Sequence, residues 1–224
     1  MAYHLDAEKI DLVALQKRIE STDLVPSRAA LLDRIGAKMD SLRANGIRSL
    51  AALRAELKTP RRLKALAAAA GVAEPYLVLL RREIEGYFPK PFPLASIDAV
   101  PENVLASLAQ SGISSSADLF DASDSPKKLA RLAESSGLPL PSLRPLACLA
   151  DLMRVQWVGP VFARMLFDCG CDGASKVAAA DPEALCAALA KANARSACFK
   201  GTIGLRDVRR LVFAAQRLLS PWSI

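Results

Sequence analysis

The chain has 224 residues, of which 52% are hydrophobic but only 5% aromatic, and a formal net charge of +7. Since a chain of this length buries roughly 70% of its unfolded surface, it can fold without the support of metal ions or disulfides. Leu and Ala dominate its apolar positions, a composition that favours close-packed short helices and argues against a β-sandwich.

The positive charge is divided between the two ends of the chain. Residues 1–99 and residues 158–224 each carry an excess of +4, whereas residues 100–157 carry −1. A basic excess is typical of proteins that bind an anionic partner such as nucleic acid, although ordinary soluble proteins show it too.

Cysteine usage and hydropathy indicate the cellular compartment in which the protein is expected. The five cysteines are an odd number and lie in the last third of the chain, which is not typical of a disulfide framework. The N-terminal residues are too charged for the core of a signal peptide, and no apolar run reaches the length of about 18 residues that crosses a bilayer. We therefore expect a cytoplasmic protein with free thiols and no membrane partner.

The N-terminal segment, residues 1–25, is predicted to contain one amphipathic helix over residues 6–20. Its apolar side chains are expected to face the interior; they are Ile10 and Val13, with Leu12 and Ile19 as further candidates.

An internal repeat with a period of 66 residues follows. Residues 39–80 align without a gap with residues 105–146, with 15 identities in 42 pairs, far more than chance produces. The run Pro89-Lys90-Pro91-Phe92-Pro93 cannot be helical and separates the two copies. The repeat therefore predicts one helical unit over residues 26–93 and a second over residues 94–150.

Many of the repeated residues are those that start and stop short helices. Gly46 and Gly112 lie where a helix is expected to end in a left-handed residue. Thr59-Pro60 and Ser125-Pro126 are N-cap and N1 pairs. Each copy is therefore predicted to be a succession of short helices joined by tight turns.

A third and looser copy is predicted over residues 151–224. Asp181-Pro182 takes the place of the earlier N-cap and N1 pairs, and a last helix is predicted from Leu205 to Leu219. No segment shows the alternation typical of a strand. The predicted fold is therefore all-α, with about 11–14 short helices in tandem repeats and no sheet.

The third copy contains a hinge, Val158-Gly159-Pro160, between two apolar helical segments. The second helix presents unpaired main-chain N–H groups at its start, and these groups and the helix dipole attract an anion. Gly159 allows a phosphate to approach the main chain, and Pro160 fits the first helical position. Arg154 and Arg164 add positive charge. The competing interpretation is a tight turn in a helical bundle, without a ligand.

The pattern hydrophobic-x-x-Val-Gly-Pro-x-x-Ala-x-x-Leu, read from Val155 to Leu166, resembles the helix-hairpin-helix superfamily of DNA-binding modules. The third copy as a whole is similar to a bacterial domain-of-unknown-function family with tandem helix-hairpin-helix repeats. The resemblance covers residues 148–193 and extends to residues 95–147 through the duplication. It implies that amides of the hairpin bind DNA backbone phosphates regardless of base sequence.

Three departures from the superfamily pattern bear on this function. Trp157 replaces the first of the two hairpin glycines, and its indole is expected to shrink the space for a phosphate. The second copy has Val100-Pro101-Glu102, whose carboxylate repels phosphate, and the first copy has Ile35-Gly36-Ala37-Lys38, one residue out of register. The hinge of the third copy therefore retains the binding chemistry best.

The last helix carries a basic stripe opposite its apolar residues, formed by Arg206, Arg209, Arg210 and Arg217. Such a stripe can track backbone phosphates. The alternative is the solvated side of an ordinary amphipathic helix.

Neither a metal site nor a catalytic constellation is predicted. Cys169-Gly170-Cys171 lacks the spacing of a zinc site, and the single histidine is His4. Asp181 precedes Pro182 and is interpreted as an N-cap rather than as a catalytic acid. We expect no cofactor and no enzymatic activity.

The sequence therefore predicts a non-enzymatic protein that binds nucleic acid, foremost double-stranded DNA, without regard to base sequence. The predicted contacts are Val158, Gly159, Pro160, Arg154, Arg164, Arg206, Arg209 and Arg210. The alternative is an interaction or scaffold module whose repeats bind a partner protein or a second copy of the chain. Replacing Gly159 with Val, or Arg164 with Glu, is expected to abolish DNA binding under the first interpretation only.

Overall fold

A computed structural model describes residues 2–197 and 199–219, and the regular elements in this part of the chain are all helices. The predicted all-α fold is confirmed: the described residues form 13 α-helices and three 3₁₀ helices, without a sheet. In chain order the α-helices are α1 (Leu12–Ser21), α2 (Ile35–Ala44), α3 (Leu50–Leu57), α4 (Pro60–Ala70), α5 (Glu74–Glu85), α6 (Glu102–Gln110), α7 (Ser116–Ser123), α8 (Pro126–Ser136), α9 (Leu140–Leu152), α10 (Pro160–Asp168), α11 (Ala174–Ala178), α12 (Pro182–Ser196) and α13 (Leu205–Leu219).

The described chain divides into two compact units with separate hydrophobic cores. The N-terminal unit comprises residues 5–88, and the C-terminal unit comprises residues 2–4 together with residues 89–219. The two segments predicted as separate repeat units, residues 94–150 and residues 151–224, therefore share one unit as far as they are described. They do so because apolar side chains from α6 through α13 belong to one continuous core.

The first α-helix begins later than its hydrophobic pattern suggests. Asp11 is the N-cap of α1, and its carboxylate accepts a hydrogen bond of 2.7 Å from the amide of Ala14. The buried apolar face of α1 is formed by Leu12, Leu15 and Ile19, whose spacing of three and four residues places them on one side of the helix. Leu12 and Ile19 are completely buried, as expected, whereas Val13 is only half-buried, so its predicted place in the core was wrong.

The helices of the first two predicted copies have corresponding bounds. A shift of 66 residues carries α3 onto α7 and α4 onto α8 at both ends. The shared bounds have a local cause, because equivalent side chains cap equivalent helices: Ser49 and Ser115 accept from the third amides of α3 and α7, and Thr59 and Ser125 do the same for α4 and α8.

Turns between these helices use glycine where the main chain enters the left-handed region. Gly46 and Gly112 have φ angles of 85° and 75°, which a residue with a side chain rarely adopts. In both turns the amide that follows the glycine donates to a carbonyl of the preceding helix, Ile47 to Leu42 and Ile113 to Leu108. The predicted left-handed helix ends are confirmed at these two positions.

The core of the C-terminal unit is closed by the N-terminal residues and by the last helix. Tyr3 is buried there; its hydroxyl donates to the carbonyl oxygen of Met153 and shares a hydrogen bond of 3.0 Å with Ser116. At the other end α13 packs on α11 and α12, with Val208 and Leu211 buried. Among the described helices, none combines the length and the apolar character that crossing a membrane requires.

Candidate nucleic-acid interface

The predicted hinge joins α9 to α10. Val158 is buried, Gly159 is the N-cap of α10 and the helix begins at Pro160. The N-cap supplies no side-chain hydrogen bond to the helix. Among the described residues, the main-chain N–H groups of Val161 and Phe162 therefore have no acceptor. Two donors at the positive end of a helix are left for an anion.

The strained backbone residue of the hinge is Trp157, not Gly159. Gly159 has a φ of −97°, which any residue adopts, and a Cβ built there would lie 3.6 Å from the ring of Phe92, an ordinary contact. Trp157 has a φ of 70°, in the left-handed region that a bulky residue rarely enters. The glycine thus leaves room near the main chain, but the turn does not depend on it.

The same turn precedes α6. Ala99 is left-handed with a φ of 61°, and two residues later Pro101 is the N-cap. Glu102, the first residue of α6, brings a carboxylate to the helix start, as predicted. At the corresponding turn of the N-terminal unit, the left-handed residue is Arg34, which is itself the N-cap of α2. Of these three turns, the one before α10 combines the two-residue spacing with a helix start whose first turn carries no acidic residue.

Trp157 lies at the surface. Its side chain is 52% exposed, and the guanidinium carbon of Arg210 lies 4.5 Å from the centre of the indole ring. This distance is that of a cation–π contact. The indole therefore forms an exposed wall next to the hinge rather than a buried plug, and it carries a positive charge against its face.

Arg154 does not reach this surface. It is only 5% exposed; its Nε donates to the carbonyl oxygen of Tyr3 at 3.0 Å, and its Nη1 pairs with Asp151. Its guanidinium also lies over the ring of Phe120. The expected phosphate contact is incompatible with this burial, because the N-terminal residues of the chain cover the side chain. Arg154 stabilises the core instead.

Two further predicted contacts are exposed but paired. Arg164 on α10 forms an ion pair with Asp168 at 3.1 Å, one helical turn away, and Arg209 on α13 pairs with Glu183 at 2.6 Å. Solvent-exposed pairs such as these contribute little and are readily exchanged for another anion. Arg206 is also exposed on α13. These side chains are accessible to a phosphate, but each carboxylate reduces the local positive charge.

Arg210 differs from the other predicted cations. Among the residues that the structure describes, no hydrogen bond or ion pair is formed by its guanidinium, and its Nε is buried without an acceptor. A cation without a carboxylate partner attracts an anion most strongly. We define the hinge site as the amides of Val161 and Phe162 together with Arg210.

Sequence reasoning missed the aromatic side chains beside the hinge. Phe162 and Phe199 lie with ring centres 6.3 Å apart, near Trp157. Trp157 was interpreted only as an obstruction, and Phe199 lies in a segment where the repeat pattern is lost. The spacing of these residues gave no signal that their rings meet, because they come from segments far apart along the chain.

Two cysteines near the end of α10 are poor nucleophiles. Burial raises the pKa values of the Cys169 and Cys171 thiols, which disfavours the nucleophilic thiolate. Within the described residues, no group of three or more metal-ligating side chains is placed to hold an ion. Cys198 lies outside the described residues.

Residues 100–218 match the protein family described as Domain of unknown function (DUF4332). The matched segment is more than half of the chain; it begins at the turn before α6 and ends in α13, so it contains the whole hinge site. A search of curated proteins and a search of solved structures gave no match.

Proposed function

The chain belongs to the DUF4332 family, and from the hinge site within the matched segment we propose that it binds nucleic acid, foremost DNA, through backbone phosphates. The binding is sequence-independent, because main-chain amides and arginine side chains at the helix start contact the phosphate and no base edge is required.

The uncapped start of α10 beside Arg210 is the observation that carries this proposal. Among the residues that the structure describes, the amides of Val161 and Phe162 have no acceptor, and no carboxylate pairs with the guanidinium of Arg210. A phosphate satisfies both needs at once, since it accepts hydrogen bonds from amides and neutralises a guanidinium.

The conformation of the turn supports the resemblance to helix-hairpin-helix modules. Trp157 occupies the position of the first hairpin glycine, and it keeps the left-handed backbone expected of a glycine. The turn before α6 has the same conformation, but Glu102 opposes phosphate there. One phosphate-binding turn in the C-terminal unit is therefore proposed.

Residue 161 offers a sharper test than the hinge glycine. A Val at position 159 would press against Phe92, which mixes packing with binding. Val161 is 43% exposed in the first turn of α10. Val161→Glu places a carboxylate where the helix dipole favours it, so the helix is stabilised by about 0.3–1 kcal/mol, while the same charge repels a phosphate.

We expect Val161→Glu to retain or raise the melting temperature and to weaken binding of a labelled 20-bp duplex at least about 10-fold. The neutral isostere Val161→Gln should bind as the wild type does. Fluorescence anisotropy across a salt series measures both, with a log–log slope of about −0.9 per phosphate neutralised for the wild type. Duplex binding that is unchanged by Val161→Glu, or a slope of zero, would contradict the proposal.

Exposed apolar side chains favour a second candidate, an interaction module. Trp157, Val161 and Phe199 are all more than two-fifths exposed, and protein interfaces are enriched in such residues. Under this alternative the chain binds no duplex even at low salt, and Val161→Glu leaves the salt series flat.

A further inference from the structure

A small aromatic cleft of about 260 Å³ lies beside the hinge site. Although only 5% of the residues in the chain are aromatic, three of them line this cleft. Its volume is below the range of about 300–1,000 Å³ that is typical of pockets for drug-sized ligands. The cleft therefore suits a single ring system. Its lining includes Trp157, Phe162, Phe199, Ile203, Asp207 and Arg210.

Two of the three aromatic rings of the cleft are open to solvent. Trp157 is 52% exposed and Phe199 is 41% exposed, and the rings of Phe162 and Phe199 are tilted by 45° with their centres 6.3 Å apart. Exposed ring faces are the surfaces on which proteins stack unpaired bases, because every base has a flat π face. The cleft thus offers several ring faces to an inserted planar group.

The indole of Trp157 stands at a position where the backbone is strained. A glycine would adopt its φ of 70° without cost, whereas a bulky side chain pays for it. The exposed indole recovers little of that cost through burial. A ligand contact explains why a large aromatic residue occupies this position.

The polar lining of the cleft matches the edge of a base. The guanidinium of Arg210, stacked on the indole, can donate to acceptors, and the carboxylate of Asp207 can accept from N–H groups. An aliphatic side chain from a protein partner would use neither group. Base edges carry both donors and acceptors, so a base is the better occupant.

The position of Phe162 connects the cleft to the phosphate site. Its amide is one of the free donors at the start of α10, and its ring lines the cleft. A phosphate bound to the amide and a ring stacked in the cleft would therefore both contact Phe162. Such adjacent contacts suit the phosphate and the base of one nucleotide or of two neighbouring nucleotides.

We infer that the aromatic cleft binds one unstacked nucleobase, whose strand is held by its phosphates at the hinge site. The inference rests on the proposed function and deepens it: the ligand is a nucleic acid with unpaired bases, such as a single strand, and not only a charged backbone.

The test uses the full chain carrying Trp222→Phe, which leaves Trp157 as the single tryptophan, since the sequence contains two. The probes are a 12-nucleotide deoxythymidine strand, an abasic strand of the same length and a duplex. Both strands carry the same phosphates, so the difference between them reports the bases alone. We expect the deoxythymidine strand to bind about 10-fold more tightly than the abasic strand and to quench Trp157 fluorescence.

Three variants assign the preference to the cleft. Trp157→Gly relieves the backbone strain and removes the indole, so the deoxythymidine strand should lose its advantage while abasic binding is unchanged. Trp157→Phe retains an aromatic face and should restore most of the preference. Phe199→Leu keeps an apolar side chain without a π face, and it should reduce the preference by severalfold. Thermal unfolding verifies that each variant is folded.

The results separate this inference from the proposed function. Equal affinity for the two strands, with Trp157 emission unchanged, overturns the nucleobase site and leaves phosphate binding intact. Failure of the two strands and the duplex to bind at low salt overturns the proposed function and this inference together. A deoxythymidine preference that survives Trp157→Gly and Phe199→Leu places the base elsewhere and also overturns the cleft assignment.

Discussion

Asp151 links three parts of the C-terminal unit through the two oxygens of one carboxylate. Oδ1 pairs with the buried Arg154, and Oδ2 accepts a hydrogen bond of 2.9 Å from the amide of Ala174, at the start of α11. The carboxylate thereby neutralises a buried cation and caps a short helix. Gly173 lies against it, because a Cβ at that position would be 2.7 Å from Oδ2.

Gly173→Ala is expected to destabilise the protein by about 1–3 kcal/mol, because the new methyl group displaces the carboxylate from the cap and from the ion pair. Urea unfolding measures the change. Gly159→Ala is the matched control: its Cβ makes an ordinary contact with Phe92, and its effect should stay within about 0.5 kcal/mol. Equal effects of the two substitutions would contradict this account.

At the scale of single elements, caps determine where most helices begin. Ser115 and Asp118 form a capping box at the start of α7: Ser115 Oγ accepts from the amide of Asp118, and Asp118 Oδ2 accepts from the amide of Ser115 at 2.9 Å. Although partial burial raises the pKa of the Asp118 carboxyl, hydrogen bonds from Ser115 and Ser114 outweigh it and hold the pKa below its ordinary value. The α7 start is satisfied internally, unlike the start of α10.

The lowered pKa of Asp118 predicts a pH dependence. A carboxyl whose pKa is lower in the folded state stabilises the fold above the unfolded pKa, and this contribution is lost as the pH falls through the folded value. Asp118→Asn should therefore lower the free energy of unfolding by about 0.5–1 kcal/mol at pH 7. The difference from the wild type should close below about pH 4. Asp121→Asn, on the exposed side of α7, is the control and should show no such convergence in urea unfolding series.

At the scale of the whole molecule, each unit has its own core built around equivalent leucines. Leu53 on α3 and Leu119 on α7 are related by the shift of 66 residues, and both are completely buried. Leu53 belongs to the core of the N-terminal unit and Leu119 to that of the C-terminal unit. Buried leucines of this kind hold a core together through close packing.

Leu53→Ala and Leu119→Ala are each expected to cost about 2–5 kcal/mol, from lost transfer free energy and the cavity left behind. Hydrogen exchange measured by mass spectrometry should show where the loss is felt. We expect faster exchange in α3–α5 for the first variant and in α7–α9 for the second. Exposed-site controls, Ala68→Ser on α4 and Glu134→Gln on α8, should change neither pattern; acceleration in the other unit alone would refute the assignment of the cores.

Local chemistry made much of the fold predictable. The N-cap and N1 pairs at Thr59-Pro60 and Ser125-Pro126 and the left-handed glycines act within a few residues of themselves, so their effect can be read along the chain. The last helix was predicted with the bounds that it has. The start of α1 was missed because the apolar pattern extends before Asp11, whose side chain caps the helix there.

The candidate site was predictable only in its main chain. The turn, the helix start and the exposure of Arg164 follow from residues close in sequence. Sequence spacing could not reveal that Arg154 is buried, since the residues that cover it are Ala2 and Tyr3, far away along the chain. For the same reason, sequence spacing could not reveal that Arg210 stacks on Trp157 or that Phe199 lies near Phe162.

By itself the amino-acid order determined the all-α class, the turns and most helix ends, because these depend on hydrogen bonds and backbone preferences within one or two helical turns. Only the tertiary structure decided which arginines are buried, which are paired and which remain available. Charge compensation and burial are properties of side chains that meet in space, so the availability of Arg210 and the aromatic cleft beside α10 arise only when distant segments pack together.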